Sequence, residues 1–231
     1  MAEIKKGTEH SGIDNVGQAL TKAELFIENN QKVITYIVSG IVILILLILG
    51  YNKLYLAPQN TEAHEQMYVA EQYFQKDSFN LALNGDGNNW GFVKIMDEYS
   101  MTKAANLAHY YAGTCYFKLG KYQDAIDQLR KFSSSDKLVA PISLGTIGDA
   151  YAELGDNDKA MKFYLKAAKK SENELTSPVY LMKAGQVSEE LNDYKQALII
   201  YKLLQEKYPV SAEGRDIEKY ITRAQLKIDN K

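Results

Sequence analysis

A sparse pattern recurs three times in the second half of this 231-residue chain and constrains its fold more than any other feature. Residues 113–125 read GTCYFKLGKYQDA and residues 148–160 read GDAYAELGDNDKA, so Gly, Tyr, Gly and Ala return in the same order after 35 residues. A third copy begins at Gly185, 37 residues further along. Small residues at fixed offsets over such a period indicate stacked helical pairs, because one pair cannot bury its apolar face alone.

The small residues fall where the geometry of a helical pair requires them. A glycine inside the first helix and an alanine inside the second allow the two helices of a pair to approach closely. Where the first helix ends, a residue with a positive φ angle is expected. That position holds Gly120, Gly155 and Asn192 in the three copies.

The pattern resembles the tetratricopeptide (TPR) consensus, whose period is about 34 residues. The third copy continues through Tyr201 and Leu204 to Pro209, the residue type that closes the consensus. The resemblance implies an all-α fold, a solenoid of about four helical pairs with a C-terminal capping helix. The predicted units cover residues 63–100, 106–139, 141–174 and 178–211, followed by a cap at 211–228, and the insertion NGDGNNWG at residues 84–91 interrupts the first unit.

A second feature is the uncharged run VITYIVSGIVILILLILG at residues 33–50, which lies between Lys32 and Lys53. Its length matches the roughly 20 apolar residues that a helix needs to cross a bilayer. It is longer than the apolar core of a signal peptide, about 7–15 residues, which favours an uncleaved anchor. We therefore predict a segment 1–32, a transmembrane helix 33–56 and a TPR domain 57–231, with membrane contacts through Val33, Tyr36, Leu44, Leu47 and Tyr51.

Basic residues predict the orientation of this span. Four lysines precede it and Lys53 alone closely follows it, so the N-terminus is expected in the cytoplasm. The repeats then lie outside, in the periplasm of a Gram-negative cell, and the chain is a single-pass protein of the inner membrane. The four preceding lysines are Lys5, Lys6, Lys22 and Lys32.

Residues 13–31 carry an apolar stripe at helical spacing, which predicts an amphipathic helix of about four turns. Two interpretations stay open, a surface helix resting on the inner leaflet and a docking helix for a membrane partner. The stripe consists of Ile13, Val16, Leu20, Ala23 and Ile27.

No pattern in the sequence predicts catalysis, a metal or a cofactor. The three histidines do not have the spacing of metal ligands. The net charge of −2 gives no excess of basic residues of the kind that binds nucleic acid. His109 is expected to pack, and Cys115 to be a buried structural thiol. The NGDGNNWG loop departs from a calcium loop and from a phosphate loop, so we interpret it as a turn insertion in which an exposed Trp90 is a candidate contact.

The groove of a TPR solenoid is lined by the first helices, and these carry apolar and aromatic residues with scattered carboxylates. Such a surface suits a peptide held by apolar anchors, although several of these residues are equally expected to pack between units. The clamp that grips C-terminal carboxylates is excluded, because it needs Lys and Asn where this chain has Tyr110 and Thr114. The predicted partner-binding residues are Met67, Glu71, Phe74, Tyr110, Thr114, Phe117, Asp149, Met182, Gln186 and Glu189.

The complete layout resembles the YfgM-like family of ancillary SecYEG translocon subunits, including the lead KAELFIENNQKVI at residues 22–34. The resemblance implies periplasmic TPR units that contact newly translocated client polypeptides, and partnership with translocon subunits and a membrane-anchored peptidyl-prolyl isomerase. The NGDGNNWG insertion departs from that family.

Three functional hypotheses follow. The leading one is a non-enzymatic interaction protein, a scaffold or chaperone at the Sec translocon. The alternative is an adaptor in another envelope machine, such as an outer-membrane assembly, secretion or gliding complex. The third is an enzyme with an unrecognised site.

Overall fold

The computed structural model describes the backbone of residues 10–230 and the side chains of Glu24 and residues 26–230. All regular elements in this range are helices, so the predicted all-α class is confirmed. The chain divides into two compact units at Leu56–Ala57.

The N-terminal unit contains helix α1, His10–Tyr51, and a short π-helical segment, Asn52–Leu56. Asn30 interrupts α1 with non-helical angles, φ −115° and ψ 15°, while its side-chain amide donates to the Phe26 carbonyl at 2.8 Å. The backbone is helical over the predicted amphipathic stretch 13–31 except at Asn30, close to its end. The apolar stripe itself, apart from Ile27, lies outside the described side chains.

Within residues 10–230, one helix has the length and the apolar composition needed to cross a membrane. It includes α1 from Phe26 onward. None of the residues in its most apolar window is buried. The predicted anchor residues Val33, Tyr36, Leu44, Leu47 and Tyr51 are all exposed.

The second unit is a series of helices joined mostly by short turns, with longer connections at residues 85–91 and 130–138. Its helices are α2 Ala57–Gln75, α3 Phe79–Asn84, α4 Phe92–Glu98, α5 Lys103–Lys118, α6 Tyr122–Leu129, α7 Val139–Glu153, α8 Asn157–Ser171, α9 Ser177–Glu190, α10 Tyr194–Lys207, α11 Ala212–Arg215 and α12 Glu218–Asp229. Side chains cap several of them, since Thr102, Asp156, Asp193 and Ser211 each accept a bond from a backbone N–H of the first turn.

The paired helices approach each other at the repeated glycines. A Cβ atom on Gly148 would lie 2.7 Å from the Tyr164 ring, and one on Gly185 would lie 2.2 Å from the Tyr201 ring. Real Cβ atoms do not approach other atoms this closely, so only glycine permits the packing. The expected close approach within each pair is confirmed.

The expected backbone conformation at the end of each first helix is also confirmed. Gly120, Gly155 and Asn192 have φ angles of 74°, 76° and 59°. In the degenerate first unit, Asp77 occupies the matching place with φ 55°. These four residues therefore turn the chain in the same way in each unit.

Two apolar clusters form the interior of the repeats. The first joins α2 to α5 around Phe92, whose ring stacks on Tyr111 with centroids 5.1 Å apart, and it contains Cys115. Burial raises the pKa of the Cys115 thiol to about 12, so this group stays protonated at neutral pH. The second cluster runs from α6 to α12 around Tyr164, Tyr201 and Leu204.

The insertion separates α3 from α4 and folds on itself around one carboxylate. Asp86 accepts from the backbone N–H groups of Asn88 and Asn89, from the Asn89 amide and from the Tyr73 hydroxyl, at 2.7–2.9 Å. These bonds hold the pKa of Asp86 far below its usual range. The loop is an ordered turn in which Gly85 and Gly87 adopt positive φ angles.

The C-terminal cap differs from the single helix predicted at residues 211–228. It contains two helices, α11 and α12, separated at Asp216 and Ile217. Ile217 is 1% exposed and joins the second apolar cluster. The interruption lies at Asp216, whose angles of φ −101° and ψ 5° depart from helical geometry.

The glycine contacts lead to a stability prediction. Gly185→Ala places a methyl group against the buried Tyr201 ring, so we expect a loss of about 1–3 kcal/mol in the free energy of unfolding. Urea unfolding of the full chain in detergent micelles, followed by circular dichroism, measures it. The neighbouring change Gln186→Ala, at a partly exposed side chain, is the control, with an expected change within about 0.5 kcal/mol. Equal losses in the two variants would contradict the packing argument.

Candidate functional site

The candidate site is the first-helix face, which we define as the solvent side of α5, α7 and α9, the first helices of three pairs. Most of the predicted partner-binding residues keep part of their surface exposed. These partly buried residues are Glu71, Phe74, Tyr110, Thr114, Phe117, Asp149, Met182, Gln186 and Glu189.

Met67, one of the predicted partner-binding residues, belongs to the interior instead, and so does Gly145 of α7. Met67 is 1% exposed and packs in the first apolar cluster, so it is not accessible to a partner. Gly145 is buried beneath Tyr180, and a Cβ atom there would lie 2.0 Å from that ring. Both residues serve packing, because the neighbouring helix covers the face on which they lie.

The α5 part of the face is aromatic. The Tyr110 ring lies 5.7 Å from Tyr111 and 5.2 Å from Phe132, centroid to centroid. One turn further on, the Thr114 hydroxyl donates to the Tyr110 carbonyl at 2.9 Å, and Phe117 packs 5.6 Å from Tyr122. Neighbouring rings therefore hold Tyr110 and Phe117 in place while each stays partly exposed.

Asp149 is the polar centre of the face. Its Oδ1 atom accepts from the Tyr164 hydroxyl at 2.7 Å and from the Lys183 ammonium at 2.6 Å. Tyr164 in turn stacks on Tyr180, with centroids 6.3 Å apart. Three helices, α7, α8 and α9, thus meet at one carboxylate.

The electrostatics around Asp149 keep the tyrosines neutral. Burial, together with the Asp149 charge, raises the pKa of Tyr180 to about 12 and raises that of Tyr164 further. Both hydroxyls therefore remain protonated at physiological pH, and Tyr164 acts as a hydrogen-bond donor.

Glu189 forms a second charged contact at the C-terminal end of the face. Both of its carboxylate oxygens accept from the Arg223 guanidinium, which also lies 4.9 Å from the centroid of the Tyr220 ring. The contact connects α9 to α12 and so ties the last pair to the cap.

The basic partners Lys183 and Arg223 were not predicted from the sequence. Each lies 34 residues after its carboxylate, so the two ion pairs share one spacing. A search for opposite charges one repeat period apart would have found them. The carboxylates of Asp149 and Glu189 therefore join consecutive units as well as facing solvent.

Glu71 lies at the α2 end of the predicted groove set, where it is partly buried. Burial raises the pKa of this carboxyl, and the nearby His64 acts in the opposite direction. A partly desolvated carboxylate of this kind gains from a cationic or hydrogen-bond-donating neighbour.

Trp90 was expected to be exposed and is instead half-buried. Its ring lies 6.0 Å from that of Tyr99, and the Lys94 ammonium lies 5.5 Å from its centroid. Trp90 therefore packs the insertion onto α4.

His109 also has an internal contact, because its Nδ1 atom lies 2.9 Å from the Gln128 side-chain oxygen, and burial lowers its pKa.

The Asp149–Lys183 contact leads to a testable energy. In a double-mutant cycle with Asp149→Asn and Lys183→Met, we expect a favourable coupling of about 0.5–1 kcal/mol in the free energy of unfolding, because both side chains are partly shielded from water. The exposed i,i+4 pair Lys94–Glu98 is the control and should couple by less than about 0.5 kcal/mol. A cycle at Asp149 that gives no coupling would show that the contact is not formed in solution.

Comparisons with known proteins agree with this architecture. Two tetratricopeptide repeat family models match residues 112–174 and 180–211. Among solved structures, the TPR-like repeats of a putative kinesin light chain from Podosopora anserina superpose with a TM-score of 0.55, at 11% identity, over 74% of this chain and 89% of that one. A variant of the same repeats gives a TM-score of 0.54 with the same identity and coverage.

At this level of identity the structural likeness shows the fold alone, and no curated relative matches the chain significantly. The family models are independent of that likeness, and they cover the segments in which the glycine pattern repeats. The matched models and the stacked helical pairs together show that this chain carries tetratricopeptide repeats.

Proposed function

We propose that this chain is a membrane-anchored, non-enzymatic scaffold whose first-helix face holds a segment of another protein. TPR repeats are protein–protein interaction modules, and they recognise partners through the surface of the stacked units. The observation that carries the proposal is a set of partly exposed side chains on the first helices, aromatic on α5, with the carboxylate of Asp149 on α7 and Met182 on α9.

The apolar part of this face supports binding through buried side-chain anchors. Tyr110 and Phe117 are held by neighbouring rings, and Met182 lies on α9 against the second apolar cluster. Side chains that are already ordered lose little conformational entropy when a ligand covers them. Apolar side chains of a partner are therefore expected to fill the spaces between these residues.

Asp149 supports a specific polar contact in the same ligand. Among the described residues, the two hydrogen bonds to this carboxylate both end on Oδ1. Oδ2 is left to accept from a backbone N–H or from a cationic side chain of the ligand. We therefore expect a ligand segment with apolar side chains and a hydrogen-bond donor between them.

The exposed apolar side chains of α1 support the anchor. Leu44 and Leu47, in the middle of the apolar run, are 58% and 65% exposed. Exposing such a run to water is costly, whereas a bilayer core accepts it. Tyr36 and Tyr51, near its two ends, fit the aromatic belts at membrane interfaces.

For the partner, we propose newly translocated polypeptides at the Sec translocon. The support is the order of segments, a short N-terminal stretch, one apolar helix and then TPR units, which resembles the YfgM-like family. The excess of lysines before the span favours a periplasmic location for the repeats. Translocon subunits and a membrane-anchored peptidyl-prolyl isomerase are the partners that this interpretation implies.

A pull-down tests the partner assignment. We expect tagged full-length protein, purified from its own membranes in mild detergent, to retain SecY-type subunits, the isomerase and client chains. Recovery of an outer-membrane or secretion complex instead would replace the translocon with another envelope machine.

Met182→Lys should weaken client binding at least about tenfold, because truncation or charging of a central anchor costs more than about 1.4 kcal/mol. Ile199→Lys is the matched control, since Ile199 lies exposed on α10, outside the face. Thermal melting of both variants separates lost binding from lost folding. Equal client recovery in the two variants would contradict the proposed site.

The anchor has its own test. We expect the chain to stay with membranes during alkaline carbonate extraction, and Leu44→Arg/Leu47→Arg to release it, because an arginine at a span centre costs about 2.5–3.5 kcal/mol. Leu54→Arg, at the end of the apolar segment, is the control and should remain bound. Release of the unaltered chain would rule out the anchor.

A further inference from the structure

Helix α8 carries an unusual concentration of positive charge on one face. At 3.6 residues per turn, its five lysines fall within about 100° of the helix circumference. All five are exposed, while Ala160, Tyr164 and Ala167 on the other side are buried in the second apolar cluster. We name this surface the lysine face, and it consists of Lys159, Lys162, Lys166, Lys169 and Lys170.

Two aromatic rings attach a sixth cation to the lysine face. The Arg130 guanidinium donates to the Tyr151 hydroxyl at 2.8 Å and lies 5.7 Å from the centroid of the Phe163 ring. The Lys159 and Lys166 ammonium groups lie 5.1 Å and 4.8 Å from the Tyr151 and Phe163 rings respectively. Arg130 is therefore fixed beside the lysines by cation–π contacts and a hydrogen bond.

A cavity of about 200 Å³ opens next to these cations. Arg130 and Lys170 line it together with the serines at positions 133 and 134, and Leu144 and Ile147 are among its apolar lining residues. The cations and hydroxyls of this lining suit the phosphate group of a phospholipid, and the apolar lining residues suit its hydrocarbon chain. The volume accepts part of such a molecule.

Neutralisation of this charge by the protein itself is small. Among the described residues, Lys159 pairs with Asp156 at 2.5 Å, whereas no carboxylate forms an ion pair with Lys162, Lys166 or Lys170. The whole chain has a net charge of −2, so the positive charge is a local property of this surface. Asp156 also acts electrostatically on Lys162, so Lys166 and Lys170 are the lysines that an anionic partner finds with least competition from carboxylates.

We propose that the lysine face, with Arg130 and the adjoining cavity, binds anionic phospholipid headgroups of the bilayer that holds the anchor. This inference rests on the membrane anchor of the proposed function. Because the repeats and the apolar run belong to one chain, tethering gives the lysine face a high effective concentration of headgroups. Lysines near an anionic leaflet are attracted within a Debye length of about 8–10 Å.

Lipid fits this surface better than an acidic protein for two reasons. The cavity combines phosphate-binding groups with apolar lining residues, and the carboxylate side chain of an acidic protein would not need the apolar residues. In addition, the anchor supplies the bilayer to every copy of the chain, whereas an acidic partner has to be recruited. The lysines lie on a second helix, whereas Asp149 and Met182 lie on the first helices α7 and α9, and only the cavity extends to α7, through Leu144 and Ile147.

Lysine modification in nanodiscs tests the proposal. Full-length protein is incorporated into discs of phosphatidylcholine alone and into discs that also contain phosphatidylglycerol, and acetylation rates are read by mass spectrometry. We expect Lys162, Lys166 and Lys170 to react about fivefold more slowly in the anionic discs at low salt, and the difference to disappear at high salt. Lys202, on α10, reports the rate of an exposed lysine outside the lysine face.

Charge-reversal variants supply the matched control. Lys162→Glu/Lys166→Glu should abolish the slower reaction of Lys170 in anionic discs, while Lys195→Glu/Lys202→Glu, with the same change in net charge, should preserve it. All these side chains are exposed, so the variants are expected to fold.

The outcomes separate this inference from the anchor. A chain that fails to incorporate into either disc overturns the anchor and this proposal together. A chain that incorporates into both discs, with equal lysine rates in each, overturns the lipid contact alone. Slower reaction that arises only when a co-purified acidic protein is added would assign the lysine face to that protein and overturn the proposal as well.

Discussion

The contact between a glycine in one helix and a side chain of its paired helix determines the geometry of the repeats. Gly148 faces the Tyr164 ring and Gly185 faces the Tyr201 ring, in both cases too closely for any larger residue. Because each pair packs this tightly, its remaining apolar surface lies on the outside of the pair and is covered only when the next pair stacks. The two continuous apolar clusters are the consequence.

Stacking also decides which polar groups are available for binding. The ion pairs Asp149–Lys183 and Glu189–Arg223 have the same spacing of 34 residues and connect consecutive layers of the solenoid. In Glu189 the arginine takes both carboxylate oxygens, whereas Asp149 keeps Oδ2 free of the described bonds. The Glu189 carboxylate therefore has a structural role, whereas the Asp149 carboxylate has an oxygen that can accept a hydrogen bond from a ligand.

The repeats present two chemically different surfaces on adjacent helices. The first-helix face is aromatic on α5 and carries Asp149 on α7 and Met182 on α9, a combination that we propose binds a protein segment. The lysine face of α8 is cationic over aromatic rings, and we propose that it binds anionic headgroups. In the function that we propose, the separation of these surfaces lets the anchored chain contact a membrane and a client at the same time.

The sequence by itself determined the features that depend on local interactions. The glycine period predicted the helical pairs and the positive φ angles at Gly120, Gly155 and Asn192, because these follow from backbone sterics and spacing along one chain. The composition of residues 33–50 likewise predicted a helix apolar enough to cross a membrane.

Only the tertiary structure decided which surface positions remain exposed. Neighbouring helices cover Met67 and Gly145, Tyr99 packs against Trp90, and the cap divides into two helices at Asp216 and Ile217. None of this follows from periodicity, because periodicity assigns a residue to one side of its own helix. Whether that side meets solvent or protein depends on how far the next helix reaches over it, and that distance is set by the packing of side chains distant in the sequence.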